Sequence, residues 1–392
     1  MKKNVGILLE SPFTLGGEQR VSTILANYLV NHGYNVTFLL YDRKNKVDYS
    51  FYNLNNNIKI VFMNKYNTLT KIILRKILFK LKKLNYKYNF FKNSLKFQSK
   101  VLCSNSEAKI IAKYINDNKL DYVIGVATEN AAKLCLAKKY IKKCKIIGWQ
   151  HTTFFANFQN PFNRFYNLDL LVKYIFQNID IYVCQTLDDF NKIKENYNFE
   201  SVIINNPNTF NNKIKSKLNS KKFIAVGRFV KLKGFDKLID AFYLFCKYNN
   251  DWKLYLVGDG EEKSNYLNLI KKYNLQDRVI LTGKVSNVED YYLDSSIYLM
   301  TSLWEGWGMV VTEAMSYGLP VISFNIPSIR EIFSNNDCGY LIDNFDVNQF
   351  SAKMIDLSNN KNKILDFSKN CTKIVKKFDI QNIGKYWKDI LK

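Results

Sequence analysis

Short runs that are apolar along their whole length alternate with longer helical patterns from one end of this chain to the other. The strand candidates of a first series are Val5–Leu9, Val36–Tyr41, Ile58–Met63, Tyr122–Val126, Lys145–Trp149, Ile181–Cys184 and Val202–Ile204. A second series follows at Phe223–Val226, Leu254–Val257, Val279–Leu281, Ile297–Met300 and Val321–Phe324. Between them lie segments with apolar residues at a period near 3.6, such as Glu18–Asn31 and Asp236–Tyr248. Strands without a polar face have no side to give to water. They belong in parallel sheets covered by helices on both faces, which makes the fold class α/β.

The chain has 392 residues, more than a single core usually serves, so two domains are expected. The pattern breaks at Asn205-Asn206-Pro207-Asn208-Thr209 and stays polar and lysine-rich to Lys222. This places a first Rossmann-like domain at 1–205, a linker at 206–220 and a second at 221–375. A last segment, 376–392, contains the helical pattern Ile380–Leu391 and is expected to cross back onto the first domain. Two doubly wound halves joined in this way face a central cleft, with ligands outside the carboxyl ends of their strands.

Seven cysteines are scattered with no C-x-x-C, as befits reduced thiols in a cytoplasmic protein. The stretch Val5–Leu9 is too short for the apolar core of a secretion signal. No run reaches the roughly 18–20 apolar residues of a spanning helix, which leaves a soluble or membrane-surface protein.

Two blocks carry chemistry. In the first, Gly227 and Arg228 follow a strand, Lys233 lies in the next loop and Gly234 precedes a helix. Two cations five residues apart at a strand's carboxyl end can both meet a pyrophosphate, though on a basic protein they can equally be solvated. In the second, the strand Ile297–Met300 runs into a Gly306-x-Gly308 turn, and a helix opens near Met309. Free N–H groups at that helix start suit phosphate oxygens. Glu305 precedes the turn and Glu313 sits on the first turns of the helix. Carboxylates accept hydrogen bonds from vicinal diols, so one can hold a sugar and the other a ribose.

The E-x7-E spacing of Glu305 and Glu313, with Arg228 and Lys233 upstream, resembles the retaining glycosyltransferases of family 4, which have the GT-B fold. The resemblance covers the chain nearly end to end and is strongest between residues 223 and 325. It implies that Arg228 and Lys233 neutralise a diphosphate leaving group, that Glu313 binds ribose hydroxyls and that Glu305 binds the donor sugar. Backbone groups of Gly308, Met309 and Val310 would complete that site. Gly258-Asp-Gly260 and Thr282-Gly283-Lys284-Val285 also match, the latter where the nucleotide base usually rests.

In the first domain Gly16-Gly17 lies between a strand and a helix, where glycine lets the backbone approach a ligand. The family usually has Gly-Gly-x-Glu-Arg here; this chain has Gly-Gly-Glu18-Gln19-Arg20, so Gly16 and Gly17 carry over and Glu18 is left unassigned. Of the two histidines, His32 reads as a helix-end residue. His151 follows the strand Lys145–Trp149, where the family has a histidine that contacts the donor sugar near the reaction centre. The resemblance therefore makes His151 and Glu305 the residues nearest the chemistry.

No Asp-x-Asp occurs in the chain, so the carboxylate clamp for a metal in the other main glycosyltransferase fold is missing. The resemblance implies no cofactor and no metal, retention of anomeric configuration through front-face attack, and a UDP-hexose or UDP-N-acetylhexosamine donor. The implied acceptor is a lipid-linked or lipopolysaccharide- or capsule-type glycan.

The net charge of +24 points to nucleic acid, an anionic membrane or phosphorylated ligands. Residues 64–106 contain eleven Lys/Arg and no Asp or Glu. Projected as a helix, Lys71, Arg75, Lys76, Lys80 and Lys83 share a face with the apolar Ile72 and Phe79. Such a face suits an anionic bilayer, placing the protein peripherally on the inner side of the cell membrane. A nucleic-acid binder would leave Glu305 and Glu313 against phosphates. A dinucleotide-dependent oxidoreductase or epimerase would need G-x-G-x-x-G after the first strand, which is missing. A sugar-nucleotide hydrolase or phosphorylase could use the same cleft.

Overall fold

The structure, a computed structural model, describes residues 2–41, 47–63, 92–161, 163, 165–210, 214–334 and 337–392. The basic face drawn from Lys71, Ile72, Arg75, Lys76, Phe79, Lys80 and Lys83 lies outside the described residues. The chain divides into two compact units, one of Met1–Pro207 with Ile380–Lys392 and one of Asn208–Asp379.

The first unit is built on strands β1 (Asn4–Leu9), β2 (Asn35–Leu40), β3 (Lys59–Phe62), β4 (Tyr122–Val126), β5 (Lys145–Trp149), β6 (Ile181–Cys184) and β7 (Val202–Ile203). They form one sheet in the order β3-β2-β1-β4-β5-β6-β7, every pairing parallel. The order reverses between β1 and β4, and a crevice opens at such a switch point because the two following helices leave on opposite faces. All five residues of β4 are buried, as a strand covered on both sides requires.

The helix Ile380–Ile390 packs into this unit. Its Trp387 is fully buried with its ring 4.7 Å from that of Trp149 at the end of β5. Gly384 on the same helix meets the ring of Tyr28, so close that a Cβ there would lie 2.2 Å from a ring carbon. Residues 376–378, assigned from sequence to the last segment, instead finish a short 3-10 turn, Val375–Phe378, in the second unit.

The second unit is built on β8 (Lys222–Val226), β9 (Lys253–Val257), β10 (Val279–Leu281), β11 (Ile297–Met300), β12 (Val321–Phe324) and β13 (Gly339–Ile342). Their order is β10-β9-β8-β11-β12-β13, again parallel, with the reversal between β8 and β11. The edge strand β13 is missing from the sequence reading. Three of its four residues are only half-buried, and it opens on a glycine, so it lacks the continuous apolar run by which its neighbours are recognised.

Much of the stretch expected to be a linker is docked on the second unit. Ser216 donates its N–H to Tyr317 O at 2.9 Å and its hydroxyl to Ser295 O at 2.5 Å, and the Ser220 and Ser296 hydroxyls lie 3.1 Å apart. Lys215 and Ser216 in this stretch donate from their side chains to the backbone carbonyls of Ser316 and Ser295.

Among the described residues no helix is long and apolar enough to cross a membrane. All seven cysteines are free thiols.

Candidate active site

The second sheet's switch point sets the loop after β8 beside the loop after β11. The first of these turns sharply over β9. Gly227 N–H donates to Val257 O and Phe229 N–H to Asp259 O, at 3.0 and 2.9 Å. The loop after β9 must stay out of the way. A Cβ on Gly258 would lie 1.9 Å from Gly227 O, and one on Gly260 would lie 2.4 Å from Phe229 O. The Gly258-Asp-Gly260 sequence is therefore explained by backbone crowding beneath the 227–229 turn. Gly258 also bridges Gly283 in the loop after β10, where Val285 is half-buried.

Lys233 closes a 3-10 turn, Lys231–Lys233, and Gly234 follows in the left-handed conformation at φ 61°. The turn is tied to the end of β11 by Thr301, whose hydroxyl donates to Lys233 O at 3.1 Å. Lys233 Nζ lies 2.5 Å from Glu305 Oε1, and both side chains are 16% exposed. Ser302 donates its hydroxyl to the same Glu305 oxygen at 2.8 Å. Arg228 is exposed, and among the described residues nothing pairs with its guanidinium. The loop thus presents one cation held by a carboxylate and one that is open.

Gly308, left-handed at φ 83°, precedes the helix Met309–Ser316. Val311 N–H reaches back to Gly308 O at 2.9 Å, so Met309 and Val310 are the helix residues whose N–H groups lead. Glu313 is 5% exposed. Its Oε1 accepts from the Thr209 hydroxyl at 2.7 Å and its Oε2 from the Tyr292 hydroxyl at 3.3 Å. Tyr298, on β11, is fully buried and feels both carboxylates. Burial, with the Glu305 and Glu313 charges, pushes its hydroxyl well above the ordinary phenol range.

The remaining residues named from sequence lie in the first unit, at the carboxyl ends of β1 and β5. Gly16 precedes the helix Gly17–Asn31 with φ 170°, an extended backbone open to any residue, and its N–H donates to the Tyr52 hydroxyl at 3.2 Å. Glu18, on the first turn of that helix, has its pKa raised to about 7 by desolvation and by the Glu10 and Glu129 carboxylates. His32 caps the same helix, with Nδ1 2.8 Å from Tyr28 O. His151 is half-buried, its ring 4.4 Å from Trp149 and its Nδ1 3.4 Å from Gln185 Nε2. Burial lowers its pKa to about 3, so the imidazole is neutral near pH 7.

Several side chains in this arrangement were not singled out from sequence: Thr209, Tyr292, Ser302, Gln185 and Asp189. Thr209 sits in the predicted linker, and the others are polar residues of a kind that occurs throughout the chain. Of these, Asp189 had a readable signal, as it lies three residues after Thr186 at a helix start. Its carboxylate accepts from the Phe154 N–H at 2.7 Å and the Thr186 hydroxyl at 3.0 Å, joining the loops after β5 and β6.

Residues 207–374 match the profile of the family described as Glycosyl transferases group 1. The chain is 29% identical to an uncharacterized glycosyltransferase of Haemophilus influenzae, over 99% of this chain and all of the relative. It is 26% identical to the amylovoran biosynthesis glycosyltransferase AmsD of Erwinia amylovora, over 98% of each. Among solved structures, TarM of S. aureus, crystallised with UDP, superposes with a TM-score of 0.75 at 15% identity, covering 99% of both chains. The fold is GT-B, and residues 207–374 are similar to a group 1 glycosyltransferase domain.

Proposed function

We propose that this chain is a metal-independent, retaining glycosyltransferase that moves a hexose or N-acetylhexosamine from a UDP-sugar to a lipid-linked, lipopolysaccharide- or capsule-type glycan. The observation that carries the reading is the set Arg228, Lys233, Glu305 and Glu313 around the β8/β11 switch point. A nucleoside diphosphate leaving group needs its developing charge met where it forms. Lys233 would supply a held cation and Arg228 an open one, and Met309 and Val310 would supply helix-start N–H groups. Glu313 would exchange a hydroxyl partner for the ribose diol. Glu305, held by Lys233 and Ser302, would accept from donor-sugar hydroxyls, with Gly308 allowing close approach and Val285 beside the base.

His151 would contact the sugar as a neutral hydrogen-bond donor, and Gly16 and Gly17 would border a ligand. In the transfer, the bond from the anomeric carbon to the phosphate oxygen breaks on the face where the acceptor oxygen bonds. The acceptor's proton passes to the departing phosphate. No carboxylate nucleophile is required.

Likeness to a glycosyltransferase of amylovoran biosynthesis supports a polysaccharide acceptor, and the UDP bound to TarM supports the donor base. The basic segment with Lys71, Ile72, Arg75, Lys76, Phe79, Lys80 and Lys83 would hold the protein on an anionic leaflet.

Thermal-shift titration with a panel of nucleotide sugars tests the donor: a UDP-sugar should raise the midpoint without added metal, and indifference to all of them would end the reading. Proton NMR of the product tests retention, and the inverted anomer would overturn it. Co-sedimentation with vesicles should rise with anionic lipid; insensitivity to lipid charge would remove the membrane role.

A further inference from the structure

The carboxyl ends of β5 and β6 carry a buried polar group that the proposed chemistry does not use. Gln185, 1% exposed, directs its amide nitrogen at three acceptors. They are Gln150 O at 2.9 Å, Asn206 Oδ1 at 3.0 Å and His151 Nδ1 at 3.4 Å. The Asn205 side chain donates to the Gln185 carbonyl at 2.7 Å. Gln185 is therefore clasped by the last two residues before the chain leaves the first unit at Pro207.

The amide's orientation follows from chemistry. Gln150 O is a backbone carbonyl and can only accept, so the atom 2.9 Å from it must be the nitrogen of Gln185. The amide has two protons for three acceptors, so His151 Nδ1, the most distant, shares one of them; an amide nitrogen accepts nothing, so a proton on Nδ1 would point at N–H, and the ring proton falls to Nε2. His151 Nε2 is buried and has no hydrogen-bond partner among the described residues. A buried donor without a partner is unfavourable and marks a place for a ligand acceptor. His32 has the opposite arrangement, because its Nδ1 faces the Tyr28 carbonyl and must carry the proton.

We propose that Gln185 is a positioning residue: it sets His151 as the Nε2–H tautomer and holds that donor for a sugar hydroxyl, in register with the Asn205–Asn206 segment. Its part in catalysis rests on the glycosyltransferase reading; the tautomer does not. Trp149 bounds the imidazole on one side, so Gln185 has to select the proton position and not the ring's place.

The full chain contains two histidines, so ring-15N histidine labelling gives two imidazole signal sets in long-range proton–nitrogen spectra, and His32→Gln assigns them. Near pH 7.5 the expected result is an Nδ1–H tautomer for His32 and an Nε2–H tautomer for His151. An Nδ1–H tautomer or an even mixture at His151 in the wild-type protein overturns the proposal, whether or not a donor sugar has been found. Gln185→Leu keeps volume and removes the donor, so His151 should become a tautomer mixture. Loss of one oriented hydrogen bond should lower kcat about tenfold while KM for the nucleotide sugar moves less than about twofold. Unchanged His151 signals and unchanged kcat would overturn it. Asn206→Ala, which removes one anchor of Gln185, should shift the same signals part of the way and serves if Gln185→Leu does not fold.

Discussion

Lys233 Nζ and Glu305 Oε1 lie 2.5 Å apart across 72 residues of chain, joining the loop after β8 to the loop after β11. Neither loop predicts the other, yet parallel strands β8 and β11 are neighbours and their following loops must meet. On the proposed reading, the pair keeps the ammonium close to where a diphosphate would need it. It also keeps Glu305 from standing alone in a half-buried position, since removing one partner of such a pair leaves the other unsatisfied.

Lys233→Met should therefore lower kcat/KM by about 100- to 1,000-fold, the size of effect seen when one preorganised donor to developing charge is lost. Glu305→Gln should also be damaging. The double variant should be clearly less impaired than the product of the two single losses, because the residues share one interaction. Steady-state kinetics on the four proteins of the cycle measures this, and strict multiplicativity would show that the pair is not a unit.

Glu313 is held by Thr209 and Tyr292, and Thr209 sits on the segment that enters the second unit. Thr209→Val removes one donor from a buried carboxylate, which should destabilise the protein by about 1–3 kcal/mol. Nucleotide binding should weaken with it. Urea unfolding and titration calorimetry with UDP report the two effects; a variant as stable as wild type would mean that solvent replaces the hydroxyl.

Two left-handed glycines offer a controlled comparison. Gly33, at φ 87°, has open space where a Cβ would be, whereas a Cβ on Gly234, at φ 61°, would lie 2.3 Å from Thr301 O. Gly33→Ala should lower stability by about 1 kcal/mol, the strain of the backbone conformation alone. Gly234→Ala should lower it by more and should also disturb Lys233. Thermal denaturation ranks the pair, and equal midpoints would show that the turn relaxes freely.

Asp189, 1% exposed, has its pKa raised from 3.8 to about 6 by desolvation, against the hydrogen bonds from Phe154 N–H and Thr186. A raised folded pKa means that the native state binds the proton more tightly than the unfolded state. The group's contribution to stability is then fully present below about pH 4 and is lost as pH rises through about 6. The change is on the order of 3 kcal/mol. His151, lowered to about 3, works in the opposite sense, losing stability as pH falls below the unfolded value near 6.5. Asp189→Asn should remove the first dependence and leave the second, so wild type minus variant should decline from pH 4 to pH 7 in urea unfolding. A flat difference would mean that Asp189 titrates normally.

Read alone, the sequence determined most of the elements. The strands Tyr122–Val126, Lys145–Trp149, Ile181–Cys184, Val279–Leu281, Ile297–Met300 and Val321–Phe324 have in the structure the bounds read from sequence. Continuous apolar runs leave no other solution than a covered parallel sheet. The edge strand Gly339–Ile342 escaped because an edge is only half covered and carries a weaker pattern. The spacing of Arg228 from Lys233 and of Glu305 from Glu313 could be read from the chain because it is local information.

What only the tertiary structure decided is who faces whom. That Lys233 meets Glu305, that Thr209 meets Glu313 across 104 residues, and that Gln185 addresses His151 and Asn206 depend on strand order and on which loops a switch point brings together. Side-chain pairing at that range is set by packing of whole elements, and no periodicity along the chain records it.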